Sequence, residues 1–295
     1  MKIGFIGVGN MGGPMCRNII KNTNHEVIVF DQNPAAMAAC AGAAAGASVA
    51  AVSATCDVVI TSLPMPAIVE AVVLGEGGVA ANMRAGATFI DLSTNSAATA
   101  RRLHEGLTTR GITMLEAPVS GGVARAVDGS ITIMVGGDEA AFDAQRPLLA
   151  SFSGAQVHVG AIGMGSVAKL INNQLAFVNM ASAAEGIMMG LAAGIDLAKL
   201  SEVILGSSGA SASFKSLTTR ALAGNFAASF ALDLAHKDLR LAQELADEVG
   251  VASPNGAQTL MLLRMARAMG LGPSDVTAMI NVYERTLGRE ARLKA

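Results

Sequence analysis

A chain of 295 residues is long enough to form two domains, each with a core of its own. The formal net charge of −2 shows no basic excess, which argues against nucleic acid or an anionic membrane as a partner. Charged residues make up only 15% of the chain and hydrophobic residues 52%, a composition that leaves apolar surface for another subunit to cover. This composition favours an oligomer.

Neither a secretory leader nor a membrane anchor is predicted. The N-terminus has no basic segment followed by an apolar stretch and a cleavage site. The most membrane-like stretch, 174–193, is interrupted by Asn179 and Glu185 and lacks the ~20 consecutive apolar residues of a spanning helix. The cysteines form no CxxC pair and are expected to be reduced and buried, at Cys16, Cys40 and Cys56. These features predict a soluble, cytoplasmic protein.

Short apolar runs predict seven strands in the first half of the chain, at residues 2–7, 26–31, 57–63, 87–93, 113–119, 130–137 and 155–160. Helical segments separate the early strands, and Asn33-Pro34 has the residues typical of a helix start. The Ala-rich run 35–51 is interpreted as helix plus loop. Alternation of strand and helix predicts an α/β domain, with a parallel sheet covered by helices on both faces.

The pattern changes after Gly163. No Pro and no run of β-branched residues interrupts the segment from Met164 to Ala193. Further helices are predicted at 196–205, 233–249, 255–269 and 273–290. The second half is therefore expected to be all-helical, and we place the boundary so that the domains are 1–162 and 163–295.

Three glycines, Gly7, Gly9 and Gly12, follow the first predicted strand in the pattern GxGxxG. The first permits a tight turn, the second lets the backbone approach a pyrophosphate, and the third allows helix and strand to pack closely. The N-terminus of the helix that follows offers N–H groups to the phosphates. Because a strand precedes the glycines and a helix follows them, they predict a Rossmann-like dinucleotide-binding domain rather than a simple tight turn.

Asp31 ends the second predicted strand, 19 residues after Gly12. This is close to the roughly 20 residues expected for the acid that binds the adenosine ribose hydroxyls. A carboxylate would repel a 2′-phosphate, and no arginine follows, since the next residues are Gln32 and Asn33. NAD is therefore favoured over NADP. The alternative is that Asp31 only caps the following loop.

Five motifs in order along the chain resemble those of the β-hydroxyacid dehydrogenases, the family of 3-hydroxyisobutyrate dehydrogenase. They are GVGNMGGPM at the glycine loop, Asp91-Leu92-Ser93-Thr94, EAPVSGG at 116–122, GMGSVAKLINN at 163–173 and HKDL at 236–239. The resemblance covers the whole chain. It implies an N-terminal Rossmann-like domain that binds NAD and an all-helical C-terminal domain for substrate binding and dimerisation. With the apolar composition, it also implies a homodimer or a homotetramer.

The resemblance implies that Lys169 is the general acid/base and that Asn173 orients the substrate hydroxyl. The chemistry supports this choice, because hydride transfer from an alcohol carbon needs a group to take the hydroxyl proton. Asn173 lies four residues after Lys169 on a predicted helix and therefore shares its face. A lysine acts as a base only where burial or nearby positive charge lowers its pKa. The alternative is a solvated helix lysine.

The substrate carboxylate is expected at Ser120-Gly121-Gly122, where successive N–H groups and a hydroxyl form a cradle of donors. A catalytic serine would need a histidine base, and nothing in the sequence places one there. Lys237 is expected either at the site or in a surface salt bridge with Asp238. The residues expected to bind the cofactor are Gly7, Gly9, Asn10, Met11, Gly12, Asp31, Leu63, Pro64 and Thr94. No residue spacing suggests a metal site.

The sequence thus predicts an oxidoreductase that uses NAD to oxidise a 3-hydroxy acid, with 3-hydroxyisobutyrate as the prototype, to its semialdehyde. Two residues depart from the family pattern. Glu116 replaces the usual Asp, which is a mild change, and Arg125 stands where many 3-hydroxyisobutyrate dehydrogenases have Gly. Tartronate semialdehyde reductases are more similar at Arg125, so a reductase of that type is the alternative. Arg125 either favours a more polar or doubly acidic substrate or points to solvent. A non-catalytic dinucleotide-binding sensor is an alternative from another class.

Overall fold

The protein is described by a computed structural model that covers residues 1–293. The chain divides into two units, Met1–Lys169 and a second that begins at Leu170. The first unit is built on one sheet with helices between its strands, and the described part of the second unit is helical. The α/β class with a helical second half is therefore confirmed.

The first unit contains nine strands in a single sheet, in the order β3-β2-β1-β4-β5-β6-β8-β7 with β9 beside β8. Neighbouring strands from β3 to β6 pair in parallel. The strands are β1 Lys2–Ile6, β2 Glu26–Phe30, β3 Ala44–Ala45, β4 Val58–Thr61, β5 Thr88–Asp91, β6 Thr113–Glu116, β7 Val119–Ser120, β8 Ile131–Gly137 and β9 Ser153–Gly160.

The far edge of the sheet differs from the expected all-parallel pattern. β8 runs antiparallel to both β6 and β7, and β9 runs parallel to β8. The segment between Ser120 and Ile131 is shorter than the dozen or more residues that a parallel crossover needs, so the chain reverses there. The predicted strand 113–119 is divided into two, because Pro118 has no N–H for a strand ladder.

Eight helices lie between the strands of the first unit: α1 Gly12–Asn22, α2 Pro34–Ala38, α3 Val49–Thr55, α4 Pro66–Leu74, α5 Val79–Asn82, α6 Ala97–Thr108, α7 Gly122–Asp128 and α8 Glu139–Ala150. Ser48, Ser96 and Asp138 cap their helices by accepting hydrogen bonds from backbone N–H groups. The Ala-rich run holds α2, the start of α3 and also the two-residue strand β3, which the sequence did not predict.

The helix that begins at Met164 and those of the second unit are α9 Met164–Ala193, α10 Leu197–Leu205, α11 Ala212–Ser216, α12 Leu232–Glu248, α13 Pro254–Ala268 and α14 Ile280–Leu287. A π-helical turn, Leu217–Ala221, continues α11 and was not predicted. The predicted helix 273–290 is shorter and divided, with a 3₁₀ turn at Val276–Met279 before α14. Gly288 ends α14 in the left-handed conformation, with φ +67°.

Each unit has an apolar core. In the first, β1, β4 and α1 contribute fully buried side chains that include Ile3, Phe5 and Met15. In the second, α9 and α12 contribute Phe177, Ile187, Leu232 and Leu239. Cys16, Cys40 and Cys56 are buried free thiols, as predicted.

Helix α9 is long and apolar enough, by length and composition alone, to cross a membrane. From the sequence, 174–193 was not expected to span a membrane, because Asn179 and Glu185 interrupt it. Phe177, Ala184 and Ile187 of α9 belong to the core of the second unit, and the core helix of a soluble protein meets the same two criteria. The feature is therefore weak support for a membrane segment.

Candidate functional site

The glycine loop follows β1, and each of its three glycines stands where the pattern requires one. Gly7 has φ +87°, and a Cβ there would lie 2.5 Å from the carbonyl oxygen of Ser62. A Cβ at Gly12 would overlap the carbonyl oxygen of Gly7, so only glycine lets α1 start so close to the loop. Gly9 is exposed, with no atom within 4 Å of a Cβ position. The loop thus leaves open space over its central backbone, which fits a pyrophosphate.

The carboxylate of Asp31 closes the loop from the end of β2. Its Oδ2 accepts a hydrogen bond from the N–H of Val8 at 2.9 Å, and its Oδ1 accepts one from the N–H of Asn33 at 2.8 Å. The loop-capping alternative is therefore realised in the structure. A carboxylate has about four lone-pair sites, so these two bonds leave capacity for ribose hydroxyls. Asn10, in the loop, is exposed, and Met11 is half-buried.

A buried carboxylate joins the loops after β4 and β5. Asp91 accepts hydrogen bonds from the Thr61 hydroxyl at 2.7 Å, from Asn95 Nδ2 at 2.6 Å and from the N–H of Ser93 at 3.1 Å. The hydroxyl of Ser93 in turn accepts from the N–H of Leu63 at 2.9 Å. This network holds together two loops that were predicted to contact the cofactor.

The other predicted residues of these two loops are accessible. Pro64, next to Leu63, is exposed, and Thr94, next to Ser93, is half-buried. The sequence identified Asp91 only as part of a motif, whereas the structure shows that its carboxylate organises both loops.

The predicted carboxylate cradle lies where β7 gives way to α7. Gly121 has φ +139° and Gly122 has φ +71°, conformations that favour glycine. Ser120 is half-buried beside them. A Cβ at Gly121 would lie 2.8 Å from Cδ of Arg125, so the Arg125 side chain packs along this turn.

The start of α9 is held by Glu116, the last residue of β6. Oε1 accepts from the N–H groups of Gly163 at 2.5 Å and Gly165 at 2.9 Å. Oε2 accepts from the N–H of Ser166 at 3.2 Å and from its hydroxyl at 2.5 Å. Burial raises the pKa of the Glu116 carboxyl, and these hydrogen bonds oppose the rise.

Lys169 and Asn173 lie on α9, separated by just over one turn, as predicted. Both side chains are buried, at 7% exposure for Lys169 and 6% for Asn173. A solvated helix lysine would be exposed, so that alternative is wrong.

Asp238 links two residues that the sequence analysis placed at the site separately. Nδ2 of Asn173 donates to Oδ2 of Asp238 at 2.7 Å, and Nζ of Lys237 lies 2.9 Å from Oδ1 of the same carboxylate. Lys237 and Asp238 are both buried, so their ion pair is not a surface salt bridge. Asp238 was predicted only as the surface partner of Lys237, and its hydrogen bond to Asn173 was not predicted. The position of Asp238 in the HKDL motif was the one sequence feature that pointed to the site.

The described residues offer binding groups for a dinucleotide but no metal centre. The open glycine loop and the Asp31 carboxylate fit the phosphates and the ribose of such a cofactor. Within residues 1–293, no group of three or more His, Cys, Asp or Glu side chains is placed to hold a metal ion.

Comparisons with known proteins agree with this arrangement. Residues 2–163 match the family model for the NAD binding domain of 6-phosphogluconate dehydrogenase. Residues 163–283 match the family model for the NAD-binding of NADP-dependent 3-hydroxyisobutyrate dehydrogenase. Together the two matches extend over most of the chain.

Individual relatives cover nearly the full length of both chains. A 2-(hydroxymethyl)glutarate dehydrogenase from Eubacterium barkeri is 39% identical, over 98% of this chain and 96% of its own. A 3-hydroxyisobutyrate dehydrogenase from Pseudomonas aeruginosa is 38% identical, over 86% and 88%. The crystal structure of a 3-hydroxyisobutyrate dehydrogenase from Salmonella typhimurium has a TM-score of 0.88 at 30% identity, over 96% and 99%. The chain therefore belongs to the β-hydroxyacid dehydrogenase family of NAD(P)-binding oxidoreductases.

Proposed function

We propose that this protein uses NAD to oxidise a 3-hydroxy acid, with 3-hydroxyisobutyrate as the prototype, to its semialdehyde. The observation that carries the proposal is the burial of Lys169 and Asn173, one turn apart, on a helix that starts at the edge of a dinucleotide-binding unit. Buried ionisable side chains next to buried polar groups cluster at functional sites, which supports a catalytic use of this pair. A sensor that only binds a dinucleotide has no use for such a pair.

The reaction divides between the cofactor and the side chains. NAD supplies the nicotinamide ring that accepts the hydride from the carbinol carbon. Lys169 takes the hydroxyl proton as the carbonyl forms, and in the reverse direction it returns that proton to the oxygen. Asn173 orients the hydroxyl, and its own amide is fixed by the hydrogen bond to Asp238.

The substrate carboxylate binds, in this proposal, at Ser120, Gly121 and Gly122. Both glycines have positive φ where β7 gives way to α7, and the N–H groups of this turn are proposed to bind the carboxylate together with the Ser120 hydroxyl. Lys237, which is paired with the carboxylate of Asp238, is proposed as a further substrate-binding cation. Substrate binding is therefore proposed to use residues of the EAPVSGG and HKDL motifs.

NAD is the proposed cofactor. The Asp31 carboxylate at the end of β2 would repel a 2′-phosphate, and no arginine follows it to bind one. One matching family model is named for an NADP-dependent enzyme, so the preference between the two cofactors is a property to measure. Binding is proposed to use the glycine loop, Asn10, Met11, Asp31 and the loops that carry Leu63, Pro64 and Thr94.

A second candidate substrate carries two acidic groups. Arg125 is exposed and packs along the Gly121 turn, where its guanidinium is available to a second carboxylate. The relative from Eubacterium barkeri is named for a dicarboxylate, 2-(hydroxymethyl)glutarate. These two observations favour a dicarboxylic 3-hydroxy acid as the alternative. Reduction of tartronate semialdehyde, which carries a single carboxylate, is the other alternative and rests on the sequence similarity at Arg125.

Residues 1–162 are proposed as the NAD-binding domain and 163–295 as the domain for substrate binding and dimerisation, in a cytoplasmic homodimer or homotetramer. The apolar side chains of Ile171, Leu175 and Met189 are exposed on α9. Ile171 and Met189 are eighteen residues apart, which is five full turns, so they share one side of the helix. Light scattering on the purified protein measures the subunit number.

The test is reduction of NAD, with NADP in parallel, by the purified protein across a panel of hydroxy acids. The panel contains 3-hydroxyisobutyrate, glycerate, serine, 3-hydroxypropionate, 4-hydroxybutyrate and 2-(hydroxymethyl)glutarate. Preference for 3-hydroxyisobutyrate with NAD supports the proposal. Preference for glycerate or for the dicarboxylate favours the alternative, and preference for NADP contradicts the role given to Asp31.

A further inference from the structure

Glu116 makes no contact that the proposed reaction uses, yet it is one of the most buried charged residues of the first unit, at 2% exposure. Its four hydrogen-bond donors all come from the first residues of α9 or from Gly163 just before it. The first N–H groups of a helix have no partner within the helix, and a carboxylate satisfies them while opposing the positive end of the helix dipole.

The surroundings of Glu116 leave little room for movement. A Cβ at Gly165 would lie 2.7 Å from the carbonyl oxygen of Met134 and 3.2 Å from Cγ of Glu116. A Cβ at Gly136, on β8, would overlap Oε1 of Glu116. Because Gly136 and Gly165 have no side chains, β8 and the first turn of α9 pack directly against the Glu116 carboxylate. The position of this carboxylate therefore fixes the position of the helix start.

Ser166, which gives Glu116 two of the four hydrogen bonds, stands three residues before Lys169. Residues three apart on a helix are neighbours on its surface, with Cβ atoms about 5–6 Å apart. A shift or rotation of the first turn of α9 therefore also moves Lys169. The rate of proton transfer falls when the reacting groups are misplaced by about 1 Å.

We propose that Glu116 is the positioning residue for Lys169: its carboxylate anchors the first turn of α9 and so holds the lysine amine in line with the substrate hydroxyl. This inference rests on the proposed function of Lys169. It also gives a physical reason for Glu at a position where the family usually has Asp. The longer side chain reaches three backbone N–H groups and one hydroxyl of α9 and its preceding residue.

The experiment compares Glu116→Gln and Glu116→Asp with the wild type. Glutamine keeps the volume but turns one acceptor oxygen into an NH₂ group that faces N–H donors. We expect kcat of Glu116→Gln to fall on the order of ten- to a hundredfold, while the KM for NAD and the Kd for NADH change less than about threefold. Aspartate keeps the charge, and we expect it to restore part of kcat.

The matched control is Asp138→Asn, because Asp138 caps α8 by accepting from the N–H of Ala141 at 2.8 Å, and α8 carries no residue of the proposed site. We expect this variant to lower the Tm without lowering kcat. If Glu116→Gln keeps the wild-type kcat, or if its kcat and its NADH affinity fall together without rescue by aspartate, the positioning role is wrong.

A readout independent of turnover separates this inference from the proposed function. Acetic anhydride labels exposed amines, and mass spectrometry gives the labelling rate at each lysine. We expect Glu116→Gln to accelerate labelling of Lys169 at least severalfold relative to Lys237 in the same sample. Unchanged labelling at Lys169 contradicts the anchor, whether or not the wild type oxidises any hydroxy acid of the panel.

Discussion

The side-chain amide of Asn173 donates a hydrogen bond to the buried carboxylate of Asp238, at 2.7 Å. The same carboxylate is 2.9 Å from the ammonium of Lys237. One acid on α12 therefore fixes an amide and a cation that we assign to the substrate. Because all three side chains are buried, the arrangement depends on the charge of Asp238 as well as on its shape.

Replacing Asp238 by Asn keeps the volume and removes the charge. Breaking one side of a buried ion pair costs about 3–5 kcal/mol, since the remaining ammonium loses this counter-charge. We expect the free energy of unfolding, measured by urea denaturation, to fall by that amount, and kcat/KM for the hydroxy acid to fall with it. Asp233→Asn is the matched control on the same helix, since Asp233 pairs with Arg267 at the surface. Equal stability losses in the two variants would contradict the buried role.

The two glycines Gly12 and Gly9 should respond differently to alanine. At Gly12 the new Cβ overlaps the carbonyl oxygen of Gly7, so we expect Gly12→Ala to lower the Tm by several degrees and to abolish NADH binding. At Gly9 there is open space, so Gly9→Ala should keep the wild-type Tm and weaken NADH binding, because the methyl group occupies the space of the pyrophosphate. Fluorescence titration with NADH checks both. Unchanged affinity in Gly9→Ala would mean that the loop does not hold the cofactor phosphates.

Asp275 should make stability depend on acid pH. Burial would raise the pKa of its carboxyl, but hydrogen bonds from Ser229 and Thr277 outweigh burial, and the pKa lies below its ordinary value of 3.8. A carboxyl with a lowered pKa in the folded state adds stability above its unfolded pKa, and this stability is lost as the pH falls through the folded value.

We therefore expect the unfolding free energy of the wild type to decrease as the pH falls below about 4. At pH 7, Asp275→Asn should have a lower unfolding free energy than the wild type. Over that acid range, the unfolding free energy of the variant should decrease less than that of the wild type. Urea unfolding at several pH values measures both slopes. If the unfolding free energies of the two proteins decreased equally with falling pH, Asp275 would make no pH-dependent contribution to stability.

Local patterns were sufficient to predict the glycine loop, the early strands and α9. A strand that ends in GxGxxG has few alternatives, and the thirty residues at 164–193, which contain no Pro and no run of β-branched residues, form one helix. The antiparallel direction of β8 was not predicted from its apolar residues, because the direction of a strand depends on the segment that connects it to the preceding strand. The split of 273–290 depends on Asp275, whose side chain bonds Ser229 far away in sequence.

The candidate site followed the same division. Lys169 and Asn173 stand in one motif on α9, and Asp31 follows β2 at a spacing from the glycine loop that is itself a pattern, so local sequence identifies all three. The partners Glu116 and Asp238 act through contacts with residues 47 to 65 positions away in the chain, which no local pattern contains. The sequence therefore predicted the residues of the site better than the groups that hold them.

Lys169 is proposed to transfer the substrate proton, and turnover by Lys169→Ala, measured together with its affinity for NADH, tests this role directly. The control is Lys199→Ala, which removes an exposed lysine of α10 that pairs with Glu202. We expect Lys169→Ala to bind NADH as the wild type does and to lose about 10²–10⁴-fold in kcat, and we expect Lys199→Ala to be unchanged. Wild-type turnover by Lys169→Ala would contradict this role.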